Sequence, residues 1–241
     1  MRGHKKEFCG FCPMQKCSIT SIPCTCLQCN KSTNIVSTNN SSSKHFHSST
    51  QIGTVNEVIL DKSISQSSLA GYNGSNACTI ISVLTTMHFQ LQDIDTSSKE
   101  QTAEQYANII KTGNALYHII PKTKHQVNLY VEEVLEHSFF SGYMSSAGCS
   151  FLMATKDLAE CVKERKNSLY ILICPPDKSM AICTNDDTIF LFDSHQHQNG
   201  GALLTTCPLA DVEAFAQYVD DMVTRDWRST LIGANFIEII C

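Results

Sequence analysis

The sequence has no long apolar run, either at its N-terminus or elsewhere. No window approaches the ~20 consecutive apolar residues of a membrane-spanning helix, so we expect no membrane span. The opening residues, MRGHKKEF, lack an apolar stretch, so we expect no secretory signal there. The thirteen cysteines are an odd number, which a fully paired disulfide framework does not accommodate. We therefore expect an intracellular protein of the cytoplasm or nucleus, whose cysteines bind metal or stay free thiols.

Charged residues are few and unevenly placed. They make up 17% of the 241 residues, against 42% hydrophobic, which leaves enough apolar content for one folded domain plus an appendage. Residues 1–50 carry six Lys or Arg and one acidic residue, whereas residues 51–241 carry twelve and twenty-two. A basic head and an acidic body predict two units with different partners.

We predict that residues 1–31 form a zinc-binding segment. The segment has two C-x-x-C pairs, thirteen residues apart: Cys9 with Cys12, and Cys26 with Cys29. This spacing is typical of a structural zinc site, and so short a segment needs the metal for its folding free energy. Cys17, Cys24 and His4 are further candidate ligands, and a tail that binds no metal is the alternative. The basic charge also permits nucleic-acid contact, although few aromatic residues accompany it.

Hydrophobic periodicity places the folded body at residues 53–241, after a flexible Ser/Asn-rich linker at residues 32–52. Its pattern predicts helices first and an antiparallel sheet afterwards, so the fold class is α+β. The predicted helices are 77–87, 100–120, 127–135, 157–166 and 209–225. The predicted strands are 169–174, 180–183, 188–193, 202–206 and 235–240, and residues 139–150 are predicted to be a loop.

Cys78 lies at the start of the most apolar predicted helix, directly after a loop rich in glycine and asparagine. Ser75 or Asn76 is a suitable N-cap for this helix. The helix dipole and the unpaired N–H groups of a first turn favour a thiolate and can stabilise an oxyanion. Cysteine hydrolases place their nucleophile in such a position. The alternative is that Cys78 is a small buried hydrophobic residue.

A second group of candidate residues follows the apolar strand 188–193. Because side chains alternate along a strand, Asp193 and His195 are expected on one face, the face toward the core. A carboxylate beside an imidazole fixes the ring tautomer and supports its positive charge. If the sheet packs on the Cys78 helix, these residues form a triad of nucleophile, base and orienting acid.

Two other interpretations of these residues stay open. Asp193, His195 and His197 share a strand face and are residue types that zinc accepts. Cys149 is a second candidate nucleophile, although no strongly apolar helix follows it. The remaining cysteines of the body lie in apolar segments and are interpreted as core residues: Cys161, Cys174, Cys183, Cys207 and Cys241.

A cysteine opening a central helix, together with an apolar strand ending in Asp193-Ser194-His195, resembles the herpesvirus large tegument protein deubiquitinases and their cellular tegument-like relatives. The similarity covers about residues 60–205. It implies a papain-like cysteine protease fold, with the Cys-bearing helix packed on an antiparallel sheet. It also implies a partner, ubiquitin or a ubiquitin-like modifier, and cleavage after the modifier's C-terminal Gly-Gly.

The resemblance further implies a glutamine, upstream of the nucleophile, that donates to the oxyanion. Gln66 is the candidate, with Asn73 as the fallback. The histidine position of most papain-like enzymes would fall near Ser179 or Met180. Neither side chain can act as a base, which favours His195 for that role.

Two further functions remain as alternatives to a deubiquitinase. One is a papain-like peptidase or acyl-transferase that acts on a different substrate. The other is a non-catalytic adaptor, in which the zinc segment is joined to a pseudo-enzyme domain. We expect no cofactor for catalysis and no membrane partner.

Overall fold

The structure is a computed structural model that describes residues 45–91, 99–122, 128–147, 151–154, 157–164, 167–174, 177–229 and 231–239. The predicted zinc segment, with Cys9, Cys12, Cys26 and Cys29, lies outside the described residues. Most of the predicted linker and the alternative nucleophile Cys149 also lie outside them.

The described residues form a mixed α/β fold with five α-helices and nine β-strands. The strands are β1 (Phe46–Ile52), β2 (Val55–Leu60), β3 (Met144–Ser146), β4 (Phe151–Ala154), β5 (Leu169–Cys174), β6 (Lys178–Thr184), β7 (Thr188–Asp193), β8 (Leu203–Pro208) and β9 (Leu231–Ile239). The helices are α1 (Cys78–Leu91), α2 (Lys99–Ile119), α3 (Val131–Glu136), α4 (Leu158–Glu164) and α5 (Val212–Trp227). No helix among these residues is long and apolar enough to cross a bilayer.

One antiparallel sheet separates two layers of helices. Its strand order is β1-β2-β8-β7-β6-β5-β9-β3, and β4 also pairs with β9. Helices α1, α2 and α3 contribute to the core on one face of the sheet. Helices α4 and α5 pack against the other face. The predicted antiparallel sheet is therefore confirmed, with helices on both of its faces.

Helix α1 is buried from end to end of its predicted range. Every residue from Ala77 to Met87 is buried, and the helix packs over the central strands β5, β6 and β7. Threonine hydroxyl groups of this helix donate to backbone carbonyl groups: the Thr85 hydroxyl, for example, donates to the Ile81 carbonyl at 2.8 Å. The Ser75 hydroxyl accepts a hydrogen bond from the Ala77 N–H at 3.2 Å, at the start of the helix.

Five neighbouring strands, β2, β8, β7, β6 and β5, have their ends side by side at the same end of the sheet. Asp193, the last residue of β7, pairs with Leu203, the first residue of β8, and Leu203 pairs with Ile59 near the end of β2. Strand β5 ends and β6 begins at this same end of the sheet, where Cys174 pairs with Lys178. The loops that leave these strands are therefore brought together beside the first turn of α1.

The structure differs from the sequence-based expectation in five elements, the first being strand β2 (Val55–Leu60), which was not predicted. The last part of the predicted linker, residues 46–52, is strand β1, which joins β2 through a two-residue turn with Gly53 at φ +60°. Two short strands, β3 and β4, lie in or beside the predicted loop at 139–150, and α3 begins at Val131 rather than 127. The order "helices first" is therefore wrong, because the β1–β2 hairpin precedes α1.

Candidate active site

Cys78 is the first residue of α1 and is almost fully buried, with 3% of its surface exposed. Three groups surround its sulfur. The backbone N–H of Ser179, on β6, and the imidazole of His195 are close enough to the sulfur to lower the pKa of the Cys78 thiol. The backbone oxygen of Asp177 lies 3.5 Å from Sγ. A neutral thiol donates to this oxygen, whereas a thiolate accepts from Ser179 and His195.

The surroundings of Cys78 favour the thiolate. Burial alone would raise the pKa of the Cys78 thiol, but the hydrogen bond and the positive charge of His195 outweigh that effect. The pKa of Cys78 is therefore lower than that of an ordinary thiol. The position of Cys78 at the N-terminal end of a 14-residue helix acts in the same direction.

His195 is held by Asp193 through two hydrogen bonds. Nδ1 of His195 lies 2.6 Å from Oδ1 of Asp193, and the backbone N–H of His195 donates to the same oxygen at 3.0 Å. Since Nδ1 faces Asp193, Nε2 is the nitrogen left for Cys78. Strand β7 ends at Asp193, so the pairing comes from a tight turn around the carboxylate and not from strand alternation.

Asp193 and His195 carry opposite charges that stabilise each other in the protein interior. Asp193 is fully buried, and His195 is 8% exposed. Burial alone would lower the pKa of His195, but the charge of Asp193 and the hydrogen bonds to Asp193 and Cys78 raise it to about 10. Burial alone would raise the pKa of Asp193, but the charges of His195 and His197 hold it far below its usual range. The geometry therefore supports an ionised Asp193 beside a protonated His195.

Gln66 connects the loop before Cys78 to the loop that carries His195. Its Nε2 donates to the carbonyl of Ser75 at 2.9 Å, and its Oε1 accepts from the Ser194 hydroxyl at 2.7 Å. A carbonyl oxygen can only accept, so these two bonds fix which end of the amide faces Ser75. Gln66 is 2% exposed and is not a solvated loop residue. The fallback candidate, Asn73, is exposed.

Asn114 on α2 completes the support of Gln66. Its Nδ2 donates to the backbone oxygen of Gln66 at 3.0 Å, and its Oδ1 accepts from the Ser75 hydroxyl at 2.6 Å. Asn114 is 1% exposed. No local sequence pattern indicates Asn114 or Ser194, because their partners are distant along the chain: Ser75 is 39 positions from Asn114, and Gln66 is 128 positions from Ser194.

Ser179 lies near the position that the resemblance implies for the histidine of most papain-like enzymes. Its hydroxyl lies 3.1 Å from the hydroxyl of Thr79, the residue after Cys78. Ser179 has no basic side chain, and the group that it places near the sulfur is its backbone N–H. Of the two histidine positions considered, His195 is the one that the structure brings to Cys78.

His197 was considered in the sequence only as a metal ligand. Its Nε2 lies 2.6 Å from Oδ2 of Asp193, and its Nδ1 lies 2.9 Å from Oδ2 of Asp226. Trp227, at the end of α5, places its ring against both histidines, with centroid distances of 5.8 Å to His195 and 6.0 Å to His197. Among the described residues, no group of three His, Cys, Asp or Glu side chains has the arrangement of a metal site.

The other buried cysteines of the described residues differ from Cys78 in their electrostatics. Burial raises the pKa of the thiols of Cys174, Cys183 and Cys207. This is the expected behaviour of thiols that fill the core. Cys241 lies outside the described residues.

Comparisons with known proteins support the fold. No protein-family model matches the chain, and no curated protein matches it. The structure is similar to that of the ubiquitin-specific protease encoded by the murine cytomegalovirus tegument protein M48, solved with a ubiquitin-based suicide substrate. The TM-score is 0.56 at 12% identity, over 75% of this chain and 85% of that chain. A Pseudomonas avirulence protein, AvrPphB, also matches, with a TM-score of 0.43 at 10% identity over 68% of this chain and 92% of that chain.

The similarity to the M48 protease is at the level of the fold. It confirms the resemblance to the herpesvirus tegument proteases that the sequence motifs indicated. At 12% identity it does not transfer an activity or the roles of individual residues.

Proposed function

We propose that the chain is a cysteine-type deubiquitinase that hydrolyses the bond after the C-terminal Gly-Gly of ubiquitin or a ubiquitin-like modifier. The observation that carries this proposal is the contact between Cys78 and His195 at the N-terminal end of a buried helix, with Asp193 behind the imidazole. The fold likeness to a protease solved with a ubiquitin-based substrate favours ubiquitin as the partner. The acidic body also suits the basic face of ubiquitin.

In the proposed reaction, the thiolate of Cys78 attacks the carbonyl carbon of the modifier's last glycine. The carbonyl electrons move to oxygen and form a tetrahedral oxyanion. Imidazolium His195 then gives its Nε2 proton to the leaving amine, and the carbon–nitrogen bond breaks to leave a thioester. Neutral His195 next takes one proton from water, whose oxygen attacks the thioester carbon. The carbon–sulfur bond breaks, which restores the Cys78 thiolate and releases the modifier's carboxylic acid, and the acid loses its remaining proton to solvent.

We assign oxyanion stabilisation to the backbone N–H of Cys78 and the side chain of Gln66. One N–H of the Gln66 amide donates to Ser75, and the primary amide has a second N–H that we assign to the oxyanion. Both donors are held by buried structure, so little reorganisation is needed when the negative charge develops.

The zinc segment at residues 1–31 stays a prediction, with Cys9, Cys12, Cys26 and Cys29 as its ligands. Its support is the spacing of the two cysteine pairs. The proposed reaction does not involve this metal.

Ubiquitin carrying a C-terminal electrophile tests the proposal directly. We expect covalent labelling of the wild-type chain and none of Cys78→Ala. Cys207→Ala is the matched control, because it removes a buried thiol whose pKa is raised rather than lowered. This control variant should label like the wild type.

The same experiment separates the alternatives. Labelling by a generic thiol-directed peptide electrophile, but not by the ubiquitin probe, would indicate a peptidase or acyl-transferase with another substrate. If neither probe labels Cys78, the proposal is wrong and the adaptor function is favoured.

A further inference from the structure

Both carboxylate oxygens of Asp193 have hydrogen-bond partners, and the proposed triad accounts for the partner of only one oxygen. Its Oδ1 receives the two hydrogen bonds from His195. Its Oδ2 lies 2.6 Å from Nε2 of His197. The orientation of the carboxylate therefore depends on His197 as well as on His195.

The contacts of His197 define its protonation state. Its two ring nitrogens each face a carboxylate oxygen, of Asp193 at 2.6 Å and of Asp226 at 2.9 Å. A neutral imidazole donates through one nitrogen only, so its other lone pair would face a negative oxygen. Burial alone would lower the pKa of His197, but the charge of Asp193 and the hydrogen bonds to both carboxylates raise it to about 9. His197 is therefore an imidazolium at neutral pH.

Asp226 anchors His197 from the last turn of α5. Its carboxylate also accepts two hydrogen bonds from the Arg225 guanidinium, at 2.7 and 3.0 Å. The Arg225 side chain is 45% exposed, whereas the His197 side chain is 1% exposed. Alternating charges thus run from the buried sulfur to the surface, in the order Cys78, His195, Asp193, His197, Asp226 and Arg225.

We propose that His197 is a positioning residue for the Cys78–His195 pair, and that Asp226 holds it in place. The proposal rests on the proposed role of Cys78 as a nucleophile. His197 fixes the second oxygen of Asp193, and its positive charge moderates the effect of Asp193 on His195. Each buried charge in this series is compensated by its neighbours, so loss of one member leaves another unpaired.

The charge on His197 has a predictable effect on the titration of Cys78. Without a cation beside Asp193, His195 would hold its proton more tightly, and Cys78 would be a weaker acid. The pH at which Cys78 becomes a thiolate and the pH at which His195 loses its proton would then both be higher. The only other thiol within electrostatic range of Asp193 among the described residues is that of Cys174, which is neutral because burial raises its pKa.

The experiment measures the alkylation rate of Cys78 by iodoacetate, an anion that responds to the charge of His195 as well as to the thiolate, across pH in the full chain. His197→Gln keeps an N–H for Asp193 but removes the charge, whereas Asp226→Asn removes only one of the two carboxylates that face His197. We expect both limbs of the pH profile to move upward by about one pH unit in His197→Gln, but not in Asp226→Asn, where Asp193 still holds His197 protonated. Asp221→Asn is the control, because Asp221 is exposed on the same helix and accepts only from Gln217 among the bonds described for it.

His197→Ala separates positioning from charge, because it removes the hydrogen bond to Asp193 as well. We expect its maximal alkylation rate to fall about tenfold or more, whereas His197→Gln stays within about threefold of the wild type. If His197→Gln titrates like the wild type and Asp221→Asn, the proposal is wrong.

Nitrogen NMR of the wild-type protein tests the same idea without a variant. Both ring nitrogens of His197 should carry a proton at pH 7.5, and a neutral His197 ring would overturn the proposal even if every variant failed to fold. Alkylation does not require ubiquitin. A chain that shifts its profile as expected but is not labelled by the ubiquitin probe would retain this inference and lose the proposed substrate.

Discussion

At the scale of single residues, the sequence is informative about groups that are close along the chain. Asp193 and His195 are two positions apart, and their pairing was predicted, although it arises from a turn and not from strand alternation. His197 was also noticed, but as a metal ligand. Of its two carboxylate partners, Asp193 is four positions away, but Asp226 is 29 positions away and no local pattern connects it to His197.

Gln66 is the residue whose predicted role is easiest to separate from a structural one. With a fluorogenic ubiquitin amide as the substrate, we expect Gln66→Ala to lower kcat by about 10²-fold, because it removes the donor to the oxyanion. Alkylation of Cys78 passes through no oxyanion, so it should slow much less, through loss of the hydrogen bonds to Ser75 and Ser194 alone. A loss of alkylation rate as large as the loss of kcat would instead indicate that Gln66 acts only by holding the loops in place. Asn73→Ala compares the fallback candidate, and a larger loss of kcat in this variant would reverse the assignment.

At the scale of the elements, periodicity predicts best those that are buried on a defined face. The helix at Cys78 and the hairpin of β6 and β7 agree with the prediction, because their apolar pattern is local and continuous. Strand β1 was mistaken for linker, since it is polar and mostly exposed and its strand conformation depends on pairing with β2. Strands β3 and β4 have three and four residues, too few for a recognisable period.

The loop that carries His195 and His197 is held against residues 60–64 by a glycine. A Cβ at Gly201 would lie 2.1 Å from the backbone oxygen of Asp61 and 2.4 Å from that of Ile64. The Gly201 N–H donates to the carbonyl of Leu60 at 2.8 Å. Only a residue without a side chain allows this approach, so the glycine fixes the position of the histidine loop.

We therefore expect Gly201→Ala to lower the free energy of unfolding by about 2 kcal/mol and to slow the alkylation of Cys78. Gly142→Ala is the matched control, since a Cβ there meets nothing within 4 Å. Its free energy of unfolding should stay within about 0.5 kcal/mol of the wild-type value. Chemical denaturation measures both. Equal stability of the two variants would show that the loop does not depend on this close approach.

At the scale of the whole molecule, the site depends on strand pairings that local patterns do not specify. Strand β8 lies between β2 and β7, and β9 lies beside β5, so the sheet order differs from the chain order. These pairings bring the loop with Gln66, the start of α1 and the loop with His195 together at one end of the central strands. The sequence motifs indicated which residues to expect there, and the long-range pairings account for their meeting.

The comparison with the M48 protease is also made at the scale of the whole fold. The likeness covers 75% of the chain at 12% identity and shows the fold alone. Substrate identity therefore depends on the ubiquitin probe. The chemical state of Cys78, in contrast, can be measured on the chain by itself.

The central claim is that Cys78 is a thiolate paired with imidazolium His195 in the resting protein. The most direct measurement is the ultraviolet absorbance of the thiolate across pH, taken as the difference between the wild type and Cys78→Ala. The lowered pKa of Cys78 means that the thiolate is present below the ordinary thiol value of about 8.5 and is lost as the pH falls through the lowered pKa. In His195→Gln, the midpoint should move up to or above that ordinary value, because burial then acts without a compensating charge. A wild-type midpoint at or above about 8.5 that does not change in His195→Gln would contradict the account.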